Sequence, residues 1–228
     1  MGIYEVKMHI KRLKIVKKIL HFKRIIKEKE NEEELKKHGL ELMGDVEKAL
    51  KNYGIVYFAD FGTLLGIIRE HNFISWDLDI DYGIMISSDF DWNLFEAHMN
   101  ESGFLKIRQF KYAEKIREQT YKKGTVSIDF LAHNNDKKNS YVFGFFRKEG
   151  FIYHSSNEFH VRVGKFAKIV QTKKVIFLGI EVTVPENAEE YLESIYSANW
   201  RIPDPDWSEE TNPNRTVLEE LGHGIFYN

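Results

Sequence analysis

The stretch from Asp77 to Ile86 alternates acidic and apolar residues at its start and becomes apolar towards its end. Successive side chains of a β-strand point to opposite faces, so Asp79 and Asp81 share one face. Leu78 and Ile80 then point into the core. Such a strand fits a sheet in which one strand end lies at an open site. The chain is therefore predicted to contain a sheet with paired carboxylates at an accessible edge.

Composition narrows the classes of protein that remain. The 228 residues are 43% hydrophobic, enough for one globular domain with a full core. Thirty-three Lys and Arg against 35 Asp and Glu leave a net charge of −2, which argues against nucleic-acid binding. The absence of Cys excludes disulfides, thiolate metal sites and cysteine nucleophiles, and it fits a cytoplasmic location. No stretch has the pattern of a secretory leader or a membrane span.

The N-terminal region is basic and has helical periodicity. Apolar residues at helical spacing define one face: Ile15, Ile19, Phe22 and Ile26. Basic residues are interleaved with them across residues 7–29. Residues 1–34 are predicted to form a basic amphipathic arm that either docks peripherally on the inner face of an anionic membrane or packs on its own domain. The acidic run from 28 to 34 predicts the end of this arm or a helix break, and residues 35–228 are predicted to form the main domain.

Periodicity and turn signals divide the remainder into helices and strands. Predicted helices cover residues 35–53, 64–69, 90–102 and about 189–196. Predicted strands cover residues 55–59, 78–86, a segment before 111, 125–132, 140–147, 151–154 and 175–184. The region around Pro203, Pro205 and Pro213 is predicted to be irregular. This order indicates an α+β (mixed α/β) fold with a mixed sheet.

The paired carboxylates favour a metal site. Two carboxylates about 4 Å apart repel by roughly 4 kcal/mol at an effective dielectric near 20, a cost that a divalent cation removes. Asp129 lies in the apolar run Val126–Leu131 and is expected at the same open edge as Asp79 and Asp81, because an uncompensated buried Asp is costly. Such oxygen ligands suit Mg²⁺ or Mn²⁺. The alternative for the Asp79–Asp81 pair alone is a solvated turn.

A possible phosphate-binding turn precedes the acidic strand. Gly62 lets a ligand approach the backbone, and Thr63 adds a hydroxyl at the start of a helix. Arg69 lies about two turns further on, where a guanidinium can hold phosphate with two hydrogen bonds. The alternatives are an ordinary turn or helix cap and a surface salt bridge.

Two runs of residues resemble the LicD family, to which the fukutin-related proteins belong. They are Phe61-Gly62-Thr63-Leu64-Leu65-Gly66-Ile67-Ile68-Arg69 and Asn72-Phe73-Ile74-Ser75-Trp76-Asp77-Leu78-Asp79-Ile80-Asp81. Looser similarity extends to the acidic strand at Asp129 and to the segment from Tyr196 to Trp200. Ser75 stands where the family usually has Pro, and Ser197 where it usually has Gly. The dense resemblance covers residues 57–86 and does not reach the residues before 35.

The resemblance implies a nucleotidyltransferase-like mixed sheet flanked by helices. It also implies a phosphotransferase that moves a substituted phosphate from a CDP-linked donor to a sugar hydroxyl, with release of CMP. Phosphocholine, ribitol phosphate and glycerol phosphate are the expected transferred groups. A surface glycan, including a lipid-linked one, is the expected acceptor.

The same resemblance, joined to the carboxylate pattern, assigns roles to residues. The residues assigned to metal binding and catalysis are Asp79, Asp81 and Asp129. The residues assigned to substrate binding are Gly62, Thr63, Arg69, Asp77 and Trp76. Asp129 is the first choice to accept the proton of the attacking hydroxyl. Asp77 is expected to orient the turn or to bind metal through water, and Trp76 and Trp200 are either core aromatics or stacking surfaces.

Other activities are weighed against this one. A nucleotidyltransferase that transfers NMP from an NTP uses similar geometry, and a non-catalytic glycan-binding scaffold is a second alternative. The kinase-like triplet Asp60-Phe61-Gly62 lacks the other kinase motifs. His133 lies just beyond the Asp129 strand, and a surface position is expected for it.

Overall fold

The computed structural model describes residues 3–204 and 207–227, with side chains from residue 26 onward. Its helices are α1 (Ile3–Tyr53), α2 (Phe61–Leu65), α3 (Trp92–Glu101) and α4 (Ala188–Tyr196). A π-helical turn (Gly66–Glu70) follows α2, and a 3-10 turn (Glu209–Thr211) lies near the C-terminus. The strands are β1 (Tyr57–Ala59), β2 (Ile80–Met85), β3 (Leu105–Tyr112), β4 (Lys115–Lys123), β5 (Val126–Asn135), β6 (Asn139–Phe146), β7 (Glu158–Ala167), β8 (Thr172–Phe177), β9 (Ile180–Pro185), β10 (Arg215–Val217) and β11 (Gly222–Phe226). The predicted α+β class is confirmed.

Helix α1 is 51 residues long and continues through the acidic run from 28 to 34. The predicted helix break at that run is therefore wrong, because Glu and Lys are good helix formers and their charge reversal leaves the backbone pattern intact. Leu35, Leu42, Val46 and Leu50 are buried, so the C-terminal part of α1 packs on the core as its periodicity predicts. The side chains of the basic residues before position 26 lie outside the described residues, and the division into arm and domain stays a prediction.

The main sheet contains a closed ring of strands. Going round the ring, β5 pairs with β4, β4 with β3, β3 with β11, β11 with β7 and β7 with β6. The last pairing, of β6 with the end of β5 at Asn134 and Asn135, closes the ring. Strand β5 also pairs in parallel with β2, which in turn pairs with β1. The ring and the β1–β2 extension thus share β5, the strand that carries Asp129.

Several strands differ from their predictions. Residues 151–154 form no strand, and residues 175–184 form the hairpin β8–β9, which turns at Leu178 and Gly179. Four strands were not predicted: β4, β7, β10 and β11. Strand β4 was missed because its sequence is polar apart from Ile116 and Tyr121, yet Glu118, Gln119 and Thr120 are buried.

The core lies between the sheet and helices α1 and α3. Aromatic side chains fill it, with Phe95 packed edge to face against Tyr121 and Phe130. In the described part of the chain, the helices lack the combination of length and apolar character that crossing a bilayer requires.

Candidate functional site

Three aspartates meet where β2 and β5 run side by side. In the parallel pair, Asp81 on β2 stands directly opposite Asp129 on β5, so their side chains share a face of the sheet. Asp79 directly precedes β2. Burial, and then the nearby charges of Asp129 and Asp77, raise the pKa of Asp79 to about 7. Burial together with Asp79 and Asp129 raises the pKa of Asp81 well above its usual value. The structure thus brings together the three carboxylates that the sequence predicted as ligands.

An arginine that the sequence analysis missed holds Asp129. Across the sheet, Asp129 is in register with Thr120, and Thr120 with Arg108. Arg108 Nη2 lies 3.2 Å from both carboxylate oxygens of Asp129, and its Nε donates to Thr120 Oγ1 at 2.9 Å. Glu118 lies 3.6 Å from Arg108, and burial, followed by repulsion from Asp129, raises the pKa of Glu118 to about 8. The alternation of β3 was the only available signal for Arg108, since its partner strand was not predicted.

The turn before α2 is tied directly to the carboxylate strand. The Asp60 side chain caps α2 by accepting from the Phe61 amide at 2.8 Å, and the Asp60 amide donates to the Asp81 carbonyl at 3.0 Å. The Thr63 hydroxyl accepts from the Asp81 amide at 2.9 Å. Thr63 therefore fixes the backbone of Asp81. Phe61 has a φ of +37°, a conformation that is rare outside glycine and stores strain at this turn.

Gly62 is needed because Asp77 lies against its Cα. A Cβ at Gly62 would stand 2.9 Å from Asp77 Oδ2 and 3.1 Å from Oδ1. Burial raises the pKa of Asp77 to about 6, while Arg69 acts in the opposite direction. The acidic loop and the Gly62 turn thus form a single packed unit.

A first cavity of about 460 Å³ opens beside this unit. Gly62, Arg69, Trp76 and Asp77 line it, so four of the five predicted substrate-binding residues share one cavity. Arg69 Nη1 donates to the Trp200 carbonyl at 3.0 Å, which holds the guanidinium in place. Trp76 is 54% exposed, which contradicts a core role, whereas Trp200 is buried in the core.

A second cavity of about 810 Å³ lies within the strand ring. Asp81, Asp129 and Arg108 line it on one side, together with Phe61. Phe61 and Gly62 are consecutive residues that line different cavities. Asp81 and Asp129 thus line the second cavity and Asp77 lines the first, and each cavity is large enough for part of a substrate.

His133 is fully buried, so its expected surface position is wrong. Its Nε2 lies 2.7 Å from Asp60 Oδ2, and Tyr191 donates to Asp60 Oδ1 at 2.9 Å. His133 adjoins β2 because it is the last residue of β5 in register with that strand. These contacts compensate the buried Asp60 and hold the turn that Thr63 shares with Asp81.

The donor chemistry of the site suits a hard divalent cation. Asp79 and Asp81 offer only oxygen atoms, and their raised pKa values reflect buried negative charge that a cation would offset. Asp129 is already engaged by Arg108. Among the described side chains, no group of three or more His, Asp or Glu residues is arranged to hold a metal ion as it stands. Asp79 and Asp81 are therefore the residues that fit a cation best.

Comparisons with known proteins agree on one family. The sequence model described as LicD/FKTN/FKRP, nucleotidyltransferase domain, matches residues 54–187, more than half of the chain. The chain is 26% identical over 183 residues to ribitol-5-phosphate transferase FKTN of Mus musculus and 25% identical over 182 residues to that of Homo sapiens. Each match covers 78% of this chain but 36% of the relative. The chain thus spans just over a third of the length of these relatives.

Proposed function

The chain belongs to the LicD/FKTN/FKRP family, and from this premise we propose that it transfers a phosphate-linked group from a CDP-activated donor to a sugar hydroxyl of a glycan. The observation that carries the proposal is the register of Asp81 with Asp129 at the second cavity, next to the Phe61–Gly62 turn that also lines the first. Ribitol phosphate is the first candidate for the transferred group, because the relatives are ribitol-5-phosphate transferases. Phosphocholine and glycerol phosphate are the other candidates. The β1–α2–β2–β5 unit would be the nucleotidyltransferase-like part of the fold.

We assign the donor to the first cavity. Gly62 lines this cavity, with the Asp77 carboxylate against its Cα, and Arg69 supplies for a phosphate a guanidinium fixed by the Trp200 carbonyl. The exposed ring of Trp76 offers a stacking surface for the cytosine base. Thr63 acts as a positioning residue because its hydroxyl already binds the Asp81 amide.

We assign Asp79 and Asp81 to hold Mg²⁺ or Mn²⁺. Such an ion would neutralise the donor pyrophosphate and favour departure of CMP. The two carboxylates would contribute fixed oxygen ligands because β2 is tied to the α2 turn at two points, through Asp60 and through Thr63.

Asp129 is assigned to accept the proton of the acceptor hydroxyl. It lines the second cavity together with Asp81 and Phe61. Arg108 fixes the orientation of the Asp129 carboxylate through two contacts of 3.2 Å. A hydroxyl that enters from the second cavity would approach the phosphorus opposite the leaving CMP, as an in-line displacement requires.

The test is product analysis with CDP-ribitol, CDP-choline, CDP-glycerol and CTP, each with and without Mg²⁺. We expect CMP from one CDP-linked compound, dependent on Mg²⁺ and lost in Asp81→Asn. In parallel, a donor at about 100 times its Kd should add roughly 2.7 kcal/mol of stability. For a chain of this size, each kcal/mol corresponds to a shift of roughly 2–4 °C in Tm.

Other products would assign another function. Release of pyrophosphate from CTP, with no CMP from the CDP-linked compounds, would identify a nucleotidyltransferase. No turnover and no Tm shift with any compound would favour a glycan-binding scaffold. In both cases the phosphotransferase proposal would be wrong.

We further propose that the basic arm brings the enzyme to the inner face of a membrane that carries a lipid-linked acceptor. Its basic residues are dense between positions 7 and 29, and α1 runs without interruption from there into the core. Flotation of the full chain with anionic liposomes should fall in high salt and after deletion of residues 1–25. Unchanged flotation after the deletion would contradict this assignment.

A further inference from the structure

Two buried arginines on neighbouring strands of the sheet share one carboxylate. Arg162 on β7 and Arg215 on β10 have side chains only 9% and 6% exposed. They are diagonal neighbours, because Arg215 is in register with Gly164 and Val217 with Arg162. Glu209 bridges them, with Oε2 2.9 Å from Arg162 Nη1 and Oε1 3.2 Å from Arg215 Nη2. Glu209 is thus within ion-pair distance of both guanidinium groups, and the nearby charge of Glu210 also acts on Arg162.

Two of the three guanidinium nitrogens of Arg215 lack a hydrogen-bond partner. Its Nε is buried without a partner, and its Nη2, although near Glu209, makes no well-aligned hydrogen bond. The guanidinium lies over the rings of Phe61 and Phe166, 5.3 and 5.2 Å from their centroids. A buried guanidinium with free N–H groups is costly unless an anion can reach it.

The arginine pair adjoins the cavity that also contains the catalytic carboxylates. Arg215 and Glu209 line the second cavity together with Asp81 and Asp129. Arg162 stands over the ring of Phe146, another residue of the cavity wall, at 4.0 Å. An anion held by the pair would therefore lie in the same cavity as the proposed reaction centre.

Glu209 is suited to give way to such an anion. Its side chain is 42% exposed, and it belongs to the short 3-10 turn Glu209–Thr211 rather than to the sheet. The two guanidinium groups are buried, so their charge needs a partner, and an entering anion that replaces Glu209 keeps them compensated. A phosphate presents three oxygens to two guanidinium groups and can make the hydrogen bonds that Glu209 leaves unmade.

We propose that Arg162 and Arg215 form a binding site for a phosphate group on the acceptor, and that Glu209 occupies this site until the acceptor displaces it. The identification of the bound molecule as the acceptor rests on the proposed function, since the predicted donor residues line the first cavity. The anion site itself rests on the arginine pair alone. The acceptor class that follows is a phosphorylated sugar, whose hydroxyl would reach Asp129 while its phosphate is held at Arg215.

The test is isothermal titration of the full chain with glucose 6-phosphate, glucuronate and glucose, in EDTA so that no metal bridges the sugar to the aspartates. We expect glucose 6-phosphate to bind, glucuronate to bind at least several-fold more weakly and glucose not to bind. Arg215→Gln should weaken glucose 6-phosphate binding at least tenfold. Glu209→Gln, a substitution at a partly exposed side chain, should strengthen it by removing the competing charge. Arg201→Gln, at an exposed arginine outside the second cavity, should leave it unchanged.

Three results would overturn the proposal: equal binding of glucose and glucose 6-phosphate, binding insensitive to Arg215→Gln in a folded variant, or weaker binding in Glu209→Gln. The titration contains no nucleotide, so it is independent of donor turnover. Arg215-dependent phosphate binding without CMP release from any donor would retain the anion site and reject the phosphotransferase. CMP release without phosphate binding would support the phosphotransferase and reject the anion site.

Discussion

Without a bound cation, the buried charge of Asp79 destabilises the folded protein. The proposed role of Asp79 is to bind that cation. Burial and the charges of Asp129 and Asp77 raise its pKa to about 7. Asp79→Asn removes one buried negative charge, so at pH 8 without metal we expect a higher Tm, by roughly 2–4 °C for each kcal/mol relieved. The same variant should lose Mg²⁺-dependent CMP release. Thermal unfolding and product analysis on one preparation test both effects.

The matched control is Glu101→Gln, which removes one negative charge at the exposed end of α3. We expect both its Tm and its turnover to match the wild type. If Asp79→Asn lowers Tm, the aspartate is stabilising, and the electrostatic argument fails. If Asp79→Asn retains most turnover, Asp79 does not hold the metal.

The raised pKa values of three carboxylic acids in the site predict how the free energy of unfolding depends on pH. The pKa values of Asp77, Asp79 and Glu118 are raised to about 6, 7 and 8, in each case mainly by burial. The folded state therefore binds protons more tightly than the unfolded state, in which these groups titrate near 4. Their contribution to stability is full below about pH 4 and is lost as pH rises to about 8. In EDTA, Tm at pH 8 should be lower than at pH 6, and Mg²⁺ should narrow the difference. A higher Tm at pH 8 than at pH 6 in EDTA would contradict the assignment.

At the scale of elements, the pairing of β1 with β2 depends on a glycine. Gly83 stands opposite Phe58, and a Cβ there would lie 2.4 Å from two atoms of the Phe58 ring. Gly83→Ala should cost about 1–3 kcal/mol through overpacking. Gly44→Ala is the control, because a Cβ at Gly44, within α1, meets nothing within 4 Å. The control should gain about 0.5–1 kcal/mol from higher helix propensity. Chemical denaturation measures both, and equal effects would contradict the packing argument.

Helices and strands with a clear pattern of apolar residues could be predicted from the sequence. A strand whose polar residues are buried by contacts with other strands could not. The alternation from Asp77 to Ile86 identified β2, and apolar periodicity identified the buried part of α1. Most of strand β4 is polar because its buried polar side chains find partners on β3: Glu118 faces Arg108, and Gln119 donates to Gln109. Sequence periodicity shows the contrast in polarity between the two faces of a strand. A strand with buried polar side chains on both faces shows little of this contrast.

The residues of the candidate site likewise fall into those that the sequence predicted and one that it missed. The sequence placed Gly62, Arg69, Trp76 and Asp77 close together, and they share a cavity. Arg108 was missed because its contact with Asp129 depends on the register across β3, β4 and β5. Two short hairpin turns, at residues 113–114 and 124–125, set this register, and it could not be derived while β4 was not predicted.

At the scale of the whole molecule, one buried carboxylate joins α1 to four strands. Glu47 accepts hydrogen bonds from Tyr57 on β1 at 2.8 Å and from Tyr82 on β2 at 3.1 Å. It also accepts from the amide and the hydroxyl of Thr183 on β9, both at 2.8 Å. Lys174 on β8 lies 2.6 Å from its Oε2 and balances its charge. The helix, the sheet extension and the hairpin are therefore positioned by a single side chain.

Removing Glu47 should destabilise all of these junctions at once. Glu47→Ala leaves buried donors of Tyr82 and Thr183 without an acceptor, each at a cost of about 1–3 kcal/mol. We expect a loss of at least about 3 kcal/mol, a fall of roughly 6 °C or more in Tm. Glu41→Ala, at an exposed position of the same helix, should change stability by less than about 0.5 kcal/mol. Because β1 and β2 carry the turn and the strand of the site, Glu47→Ala should also weaken Mg²⁺-dependent donor binding at temperatures where the variant is folded. If Glu47→Ala unfolds no earlier than Glu41→Ala, the carboxylate does not hold α1 to the sheet, and the site must be positioned by other contacts.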